Sequence, residues 1–307
     1  MESIQSVVVQ GAGAMGAYFA AKFFDTPDFD VSLLADGERY ERLRKSGLII
    51  NGKQYHIPVI RPETDGPEAD LIIVALKNHH LSDVVHDLKN LVGPSTIIIS
   101  VMNGLESEEF IGSIYGMEKL LYTVSVGIDA VRQGNRIDFE NEGTHYFGEA
   151  RNPAPSPKVV LVKDAFDRAG ISYSIPEDMI RMLWWKYMIN VGINQASAVS
   201  RGPYGIFQRS ENARALMESL MREVIELANA QDVDLQENDL QAWFSALDGL
   251  SPEGKTSMLQ DIEAGRKTEV EIFAGEAVKM GTALGIPTPV NATVLRIIQV
   301  IEELKEK

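Results

Sequence analysis

Near the start of the chain lies SVVVQGAGAMGAYFAAKFF, residues 6–24. Its first five residues form a β-branched run, too short for a confident helix, and predict a buried strand. Next come Gly11, Ala12, Gly13, Ala14, Met15 and Gly16, a G-x-G-x-x-G pattern, followed by an apolar segment that begins a helix. The pattern alone is weak, but between a strand and a helix it has a physical meaning. Gly11 permits a tight turn, Gly13 lets the backbone approach a diphosphate, and Gly16 lets helix and strand pack closely. The helix N-terminus adds free N–H groups and the positive end of its dipole. Residues 11–16 are therefore expected to cradle a dinucleotide.

Three further β-branched runs follow: DVSLLA at 30–35, ADLIIVAL at 69–76 and STIIISVM at 95–102. They predict parallel strands, and the amphipathic segment 80–91 predicts the crossover helix between the last two. Such alternation argues for a doubly wound sheet. Two antiparallel excursions interrupt it. One, at 47–60, turns at Asn51-Gly52, and the other, at 122–148, turns at Gly134-Asn135. From Pro176 onward nearly everything has helical periodicity, with breaks at Arg201-Gly202-Pro203, at Leu250-Ser251-Pro252 and around Pro287 and Pro289. The expected architecture is an α/β, Rossmann-type dinucleotide-binding domain over residues 1–175 followed by an all-α domain over 176–307.

Composition narrows the function. Of 307 residues, 44 are acidic and 29 basic, for a net charge of -15. A surface that negative repels phosphate backbones, so no nucleic-acid partner is expected. The chain has no cysteine, which excludes disulfides, thiolate nucleophiles and Cys-ligated metals. Its five histidines include the adjacent His79-His80, but none is spaced with acids to complete a ligand set, so no metal is expected. The N-terminal segment lacks a basic region, and no apolar run is long enough to span a bilayer. A cytoplasmic protein without a membrane partner is the default expectation.

The second strand ends at Asp36, about twenty residues beyond the glycine motif, where an acid bonds the adenine ribose 2′-OH and disfavours a 2′-phosphate. That favours NAD. Arg39 and Arg42 lie just beyond, as alternative partners for the 2′-phosphate of NADP, or as an exposed helix face.

In the helical half, LWWKYMINVGIN at 183–194 spaces Lys186, Asn190 and Asn194 at i, i+4 and i+8, a polar stripe on one face of an apolar helix. A lone lysine there would snorkel to water. Its amide company points instead to a site, with the lysine as a general acid donating a proton to a ketone oxygen. Ser257, Asp261, Gly265 and Glu269 fall at i+4 steps and predict a second polar seam on a later helix. Asn103-Gly104 and Lys77 end the strands at 95–102 and 69–76, at the carboxyl edge where open α/β sheets bind ligands.

These residues resemble the ketopantoate reductase (2-dehydropantoate 2-reductase) family over nearly the whole chain. GAGAMG, LIIVALKNH, SVMNGLES, LWWKYMINVGIN, TSMLQDIEAGRKTEVEIFAGEAV and ALGIPTPVN carry the likeness, the last three with the most specificity. The resemblance implies reduction of 2-dehydropantoate to pantoate by a nicotinamide hydride, a step toward pantothenate and coenzyme A. It implies Lys186 as the catalytic lysine and Glu269 as its assisting carboxylate. Asn190, Asn194 and Ser257 match substrate-binding positions, and Lys77 and Asn103 match residues between the nicotinamide ribose and the substrate. On this reading the polar stripe is the wall of a substrate cleft between the domains. Asp261 and Arg266 are not expected to be catalytic but to form a structural ion pair or an exposed face. There is one departure: NADP-using members commonly carry an arginine directly after the second strand, where this chain has Asp36. NAD and NADP therefore both stay open. The runner-up readings are a reductase of another small 2-keto acid and a non-catalytic dinucleotide-binding sensor, and a homodimer through the helical half is compatible with each.

Overall fold

The computed structural model describes residues 2–64 and 66–304. The chain divides into two compact units, Met1–Met182 and Leu183–Lys307.

In the first unit, strands β1 (Ser6–Gln10), β2 (Asp30–Leu34), β6 (Leu71–Val74), β7 (Ile97–Ser100) and β8 (Leu120–Val126) run parallel at the centre of an eight-stranded sheet. Its order is β12-β11-β8-β7-β6-β1-β2-β5, where β5 is Val59–Ile60, β11 Thr144–Gly148 and β12 Tyr173–Ser174. The apolar runs are continuous because both faces are covered. Val7, Val9, Leu33, Ile73 and Ile99 join one core cluster with Tyr18, Phe19 and Phe23 of helix Ala14–Phe24. The intervening Val8, Leu34, Ile72, Val74 and Ile98 join the other, with Leu81, Val85 and Ile111. This is the period-two alternation of a strand buried on both sides.

The first hairpin and the inner hairpin of the second excursion share a second sheet, in the order β4-β3-β10-β9, whereas the ends of the second excursion, β8 and β11, pair antiparallel within the large sheet. Here β3 is Leu48–Ile50, β4 Lys53–Tyr55, β9 Val131–Gln133 and β10 Arg136–Asp138. The turn between β3 and β4 has Asn51 and Gly52 both at positive φ, as a two-residue hairpin loop requires. Val59 and Ile60, expected to belong to that excursion, instead pair in parallel with Leu33 and Leu34 at the sheet edge. The expected crossover helix at 80–91 is also broken. Only Leu81–Val84 is α-helical, between 3-10 turns at Asn78–His80 and Val85–Leu88.

The second unit is helical. Its longest helix, Glu211–Asn229, buries Met217, Leu220, Met221, Val224 and Leu227 at helical spacing. The Glu223 carboxylate on that helix accepts from the backbone N–H groups of Val290 and Asn291 and from Asn291 Nδ2, which seats the start of helix Pro289–Glu303. Among the described residues no helix is long and apolar enough to cross a membrane.

One expectation is corrected here. Ser257, Asp261, Gly265 and Glu269 do not share a helix face. Helix Ser257–Glu263 stops, because Gly265 takes φ +66. Arg266 N–H then bonds back to Asp261 O at 2.9 Å and Gly265 N–H to Ile262 O at 3.3 Å. That is the double bond pattern of a glycine-terminated helix, which turns the chain away. Glu269 lies beyond this turn.

Candidate active site

At the carboxyl end of β1 the glycine motif meets the end of β6. Gly11 has φ +101, and a Cβ there would strike the Ala75 carbonyl; a Cβ at Gly16 would strike the Gly11 carbonyl. Both glycines are demanded by the protein's own packing. Gly13 is different: its φ is -74, and the nearest atom to a Cβ there is 4.0 Å away. Nothing in the chain requires a glycine at 13, whereas a ligand approaching the backbone would. Gly13 is also the N-cap of helix Ala14–Phe24 and makes no side-chain cap hydrogen bond, so the helix start keeps donors for an anion. This cradle fits the diphosphate of a dinucleotide.

Asp36 is exposed at the start of helix Gly37–Ser46, beyond β2, and Arg39 and Arg42 are exposed on the same helix. Its surroundings are acidic. The carboxyl of Asp87 is raised by burial first, then by the negative charges of Asp36 and Glu63. Nearby Arg61 is engaged, with Glu41 at 2.8 Å and the ring of Tyr40 at 4.2 Å.

Lys77 and Asn103 leave adjacent strands at matching steps. Val74 of β6 pairs with Ser100 of β7, and each functional candidate follows three positions later. Gln10 of β1 pairs with Val74 on the other side, so Gly13 completes the row. Lys77 and Asn103 are both half-buried. The turn that carries Asn103 runs between β7 and helix Ser107–Tyr115, whose start holds a buried polar network. Ser100 Oγ and Ser107 Oγ are 2.8 Å apart, Ser107 Oγ donates to Glu108 at 2.7 Å, and Thr123 N–H donates to the same carboxylate at 3.3 Å. Burial pushes Glu108 up to about 7, against weaker stabilisation by those donors. It ties the turn after β7 to both β7 and β8. A Glu beside a helix start carries no sequence signal of such a role, because it also reads as a surface residue.

Helix Met179–Ile189, most of which belongs to the second unit, passes into a π-helical turn, Asn190–Asn194, before Gln195–Ser200 resumes α geometry. The straight α-helix expected from the spacing is thus widened at the two asparagines. They still meet: Asn194 Nδ2 donates to Asn190 Oδ1 at 3.5 Å, and both are under 10% exposed. A second π turn, Glu271–Gly275, begins two residues after Glu269. Wide turns leave backbone groups outside the usual ladder, and side chains satisfy them. Tyr187 OH donates to Phe273 O at 2.7 Å, and Ala274 N–H donates to Gln195 Oε1 at 2.9 Å. Gln195 Nε2 also reaches Asn291 Oδ1 at 3.1 Å. The segment bearing Lys186 is thereby locked to the turn that follows Glu269. The same segment in sequence shows no trace of either π turn.

Lys186 is half-buried, and burial pushes its ammonium from 10.5 down to about 8. Glu269 is half-buried and Ser257 exposed. Asp261, buried, pairs with Arg266 at 2.8 Å. Sequence reading missed Glu302, whose carboxylate holds both the N–H and the hydroxyl of Thr268, the neighbour of Glu269. Among the described residues no group of three His, Asp or Glu is placed to hold a metal ion.

A parallel sheet ending in a glycine cradle, followed by a helical unit with a half-buried cation and buried amides, defines a two-unit dinucleotide-binding protein of Rossmann type. Residues 7–152 match the family model described as Ketopantoate reductase PanE/ApbA, and residues 178–302 match its C-terminal counterpart. The chain belongs to the ketopantoate reductase family. It is 24% identical over 301 residues to 2-dehydropantoate 2-reductase of Streptococcus pyogenes serotype M3, covering 96% of this chain and 97% of the relative. The solved 2-dehydropantoate 2-reductase of Geobacter metallireducens GS-15 superposes with a TM-score of 0.85 at 25% identity, over 96% of this chain and 99% of that one. D-mandelate dehydrogenase, solved with NADH and anilino(oxo)acetate, shares the fold with a TM-score of 0.88 at 20% identity, over 99% and 100% of the two chains.

Proposed function

We propose that this protein reduces 2-dehydropantoate to pantoate, with Lys186 as the general acid. The observation that carries the reading is the half-buried Lys186, placed between Trp185 and Tyr187 on a helix that runs on into two buried amides, with its ammonium brought down to about 8 by burial. A proton donor works best when its pKa lies near the operating pH. When bound, a nicotinamide dinucleotide supplies the hydride to the keto carbon. Lys186 delivers the proton to the oxygen of that same carbon, and Glu269 assists it. Asn190, Asn194 and Ser257 suit a substrate with carboxylate and hydroxyl groups. Lys77 and Asn103 serve the nicotinamide ribose and the substrate from the carboxyl edge of the sheet, and the cradle at 11–16 holds the diphosphate.

Within this reading NADH is the preferred donor. Support comes from Asp36, whose negative charge together with that of Glu63 reaches Asp87, since a 2′-phosphate would meet that field unfavourably. The same feature favours a second reading, an NADH-dependent reductase of a different 2-keto acid, as the fold shared with NADH-bound D-mandelate dehydrogenase suggests. Absorbance loss of NADH and NADPH, each with 2-dehydropantoate and with a panel of aliphatic and aryl 2-keto acids, separates the two. Turnover confined to 2-dehydropantoate supports the first reading. Turnover confined to another acid replaces it with the second.

A further inference from the structure

We propose that Arg132 is a positioning residue for the diphosphate of the bound dinucleotide. This rests on the glycine loop being a dinucleotide cradle and is independent of which keto acid is reduced. Arg132 lies on β9, in the small second sheet, 120 residues from the loop it touches. Its Nη1 donates to the carbonyl of Ala12 at 2.8 Å, and its Nε donates to the carbonyl of Gly134 at 2.8 Å. The guanidinium is therefore anchored on its own hairpin and reaches across to the middle of the cradle. Arg132 is half-buried, and Ala12 is 6% exposed.

The consequence follows from peptide geometry. The Ala12–Gly13 peptide is trans, as are all others described, so its C=O and N–H point in opposite directions. Holding the Ala12 carbonyl fixes where the Gly13 N–H points. Gly13 is the one motif glycine whose Cβ position stands open and the N-cap of the helix behind it, so its N–H is the donor best placed for a diphosphate oxygen. Arg132 also keeps this peptide from flipping, which would turn the negative end of its carbonyl on an approaching anion. It does so with a charge that stays protonated at any working pH, in a protein of net charge -15. A tether that merely braced the β9–β10 hairpin would have no preference between ligands with and without phosphate.

The test compares ADP with adenosine, titrated calorimetrically into the full-length wild type and into Arg132→Met and Arg132→Lys, with the melting of each ligand-free protein alongside. The wild type should bind ADP more tightly than adenosine. Arg132→Met should lose about tenfold or more in ADP affinity, the scale of one charge-assisted hydrogen bond, with adenosine binding unchanged. Arg132→Lys should fall between, since an ammonium keeps the charge but lacks the fork that spans both carbonyls. If Arg132→Met folds poorly, Arg132→Lys carries the comparison alone. Unaltered ADP affinity in the variants overturns the proposal, and so does an equal loss of ADP and adenosine, which marks a purely structural tether. A wild type with no preference for ADP over adenosine removes the cradle itself, a failure distinguishable from that of Arg132.

Discussion

Glu302 accepts two hydrogen bonds from Thr268 through one oxygen, from the backbone N–H at 2.7 Å and from the hydroxyl at 2.6 Å. Thr268 is 2% exposed and immediately precedes Glu269. The last helix therefore holds the strand of chain that presents the proposed assisting carboxylate.

From this contact we expect Glu302→Ala to leave a buried N–H without its acceptor, at a cost of about 1–3 kcal/mol in stability. Turnover should fall several-fold as Glu269 loosens, with NADH affinity unchanged. Glu302→Gln keeps an acceptor and should behave almost as wild type. Denaturant unfolding and steady-state kinetics on both variants decide the matter. Unaltered kcat in Glu302→Ala would show that the loop does not need this brace.

The depressed Lys186 makes a signed prediction about pH. As the acid, it must be protonated, so kcat/KM for reduction should decline as pH rises through about 8. An ordinary lysine would hold its proton about two units longer. Stability runs the other way. Between about 8 and 10.5 the unfolded chain binds more protons at this site than the folded one, so folding becomes more favourable as pH rises across that window. Below it the full penalty of burying the charge is present. Lys186→Met should accordingly melt at a higher temperature than wild type at pH 7, lose that advantage at pH 10, and retain little turnover. A variant no more stable at pH 7 than wild type would remove the buried-charge account.

At the ribose end, Asp36→Arg replaces a negative charge with a positive one among Glu63 and Asp87. The ratio of kcat/KM for NADPH to that for NADH should rise by about tenfold or more, the effect of a single well-placed charge contact. An unchanged ratio would mean that Asp36 does not meet the ribose.

Gly13→Ala separates ligand demand from packing demand. The backbone at 13 is ordinary for an alanine and the Cβ has space, so the ligand-free protein should melt as wild type does. Dinucleotide affinity should nonetheless drop by about tenfold or more, because the methyl stands where the diphosphate approaches. Gly11→Ala and Gly16→Ala should destabilise the protein before any ligand is added. If Gly13→Ala binds NADH as tightly as wild type does, the cradle does not close on the diphosphate there.

Much of the fold was legible because it rests on local rules. β-branched runs bounded by turns marked β1, β2, β6 and β7 to within two residues at each end, whereas β8, read as part of an antiparallel excursion, also pairs in parallel with β7. Asn51-Gly52 and Gly134-Asn135 marked both hairpins, as short loops at fixed spacing do. Reading failed where a single residue overrode a period. Gly265 ended a helix whose i+4 pattern ran on through Glu269 on paper. The crossover segment broke into short turns although its apolar spacing was helical. The asparagine stripe kept its partnership through a π turn that no periodicity reveals.

The sequence by itself determined the order of strands and helices, the glycine cradle and the family, since each depends on neighbours a few positions apart. Only the tertiary structure decided which distant groups meet: Arg132 with the Ala12 carbonyl, Glu302 with Thr268, Gln195 with Ala274, and Glu108 with Thr123. Such pairings are set by where the whole chain packs, and the burial that brings Lys186 down to about 8 is likewise a property of the surrounding volume rather than of any neighbouring letter.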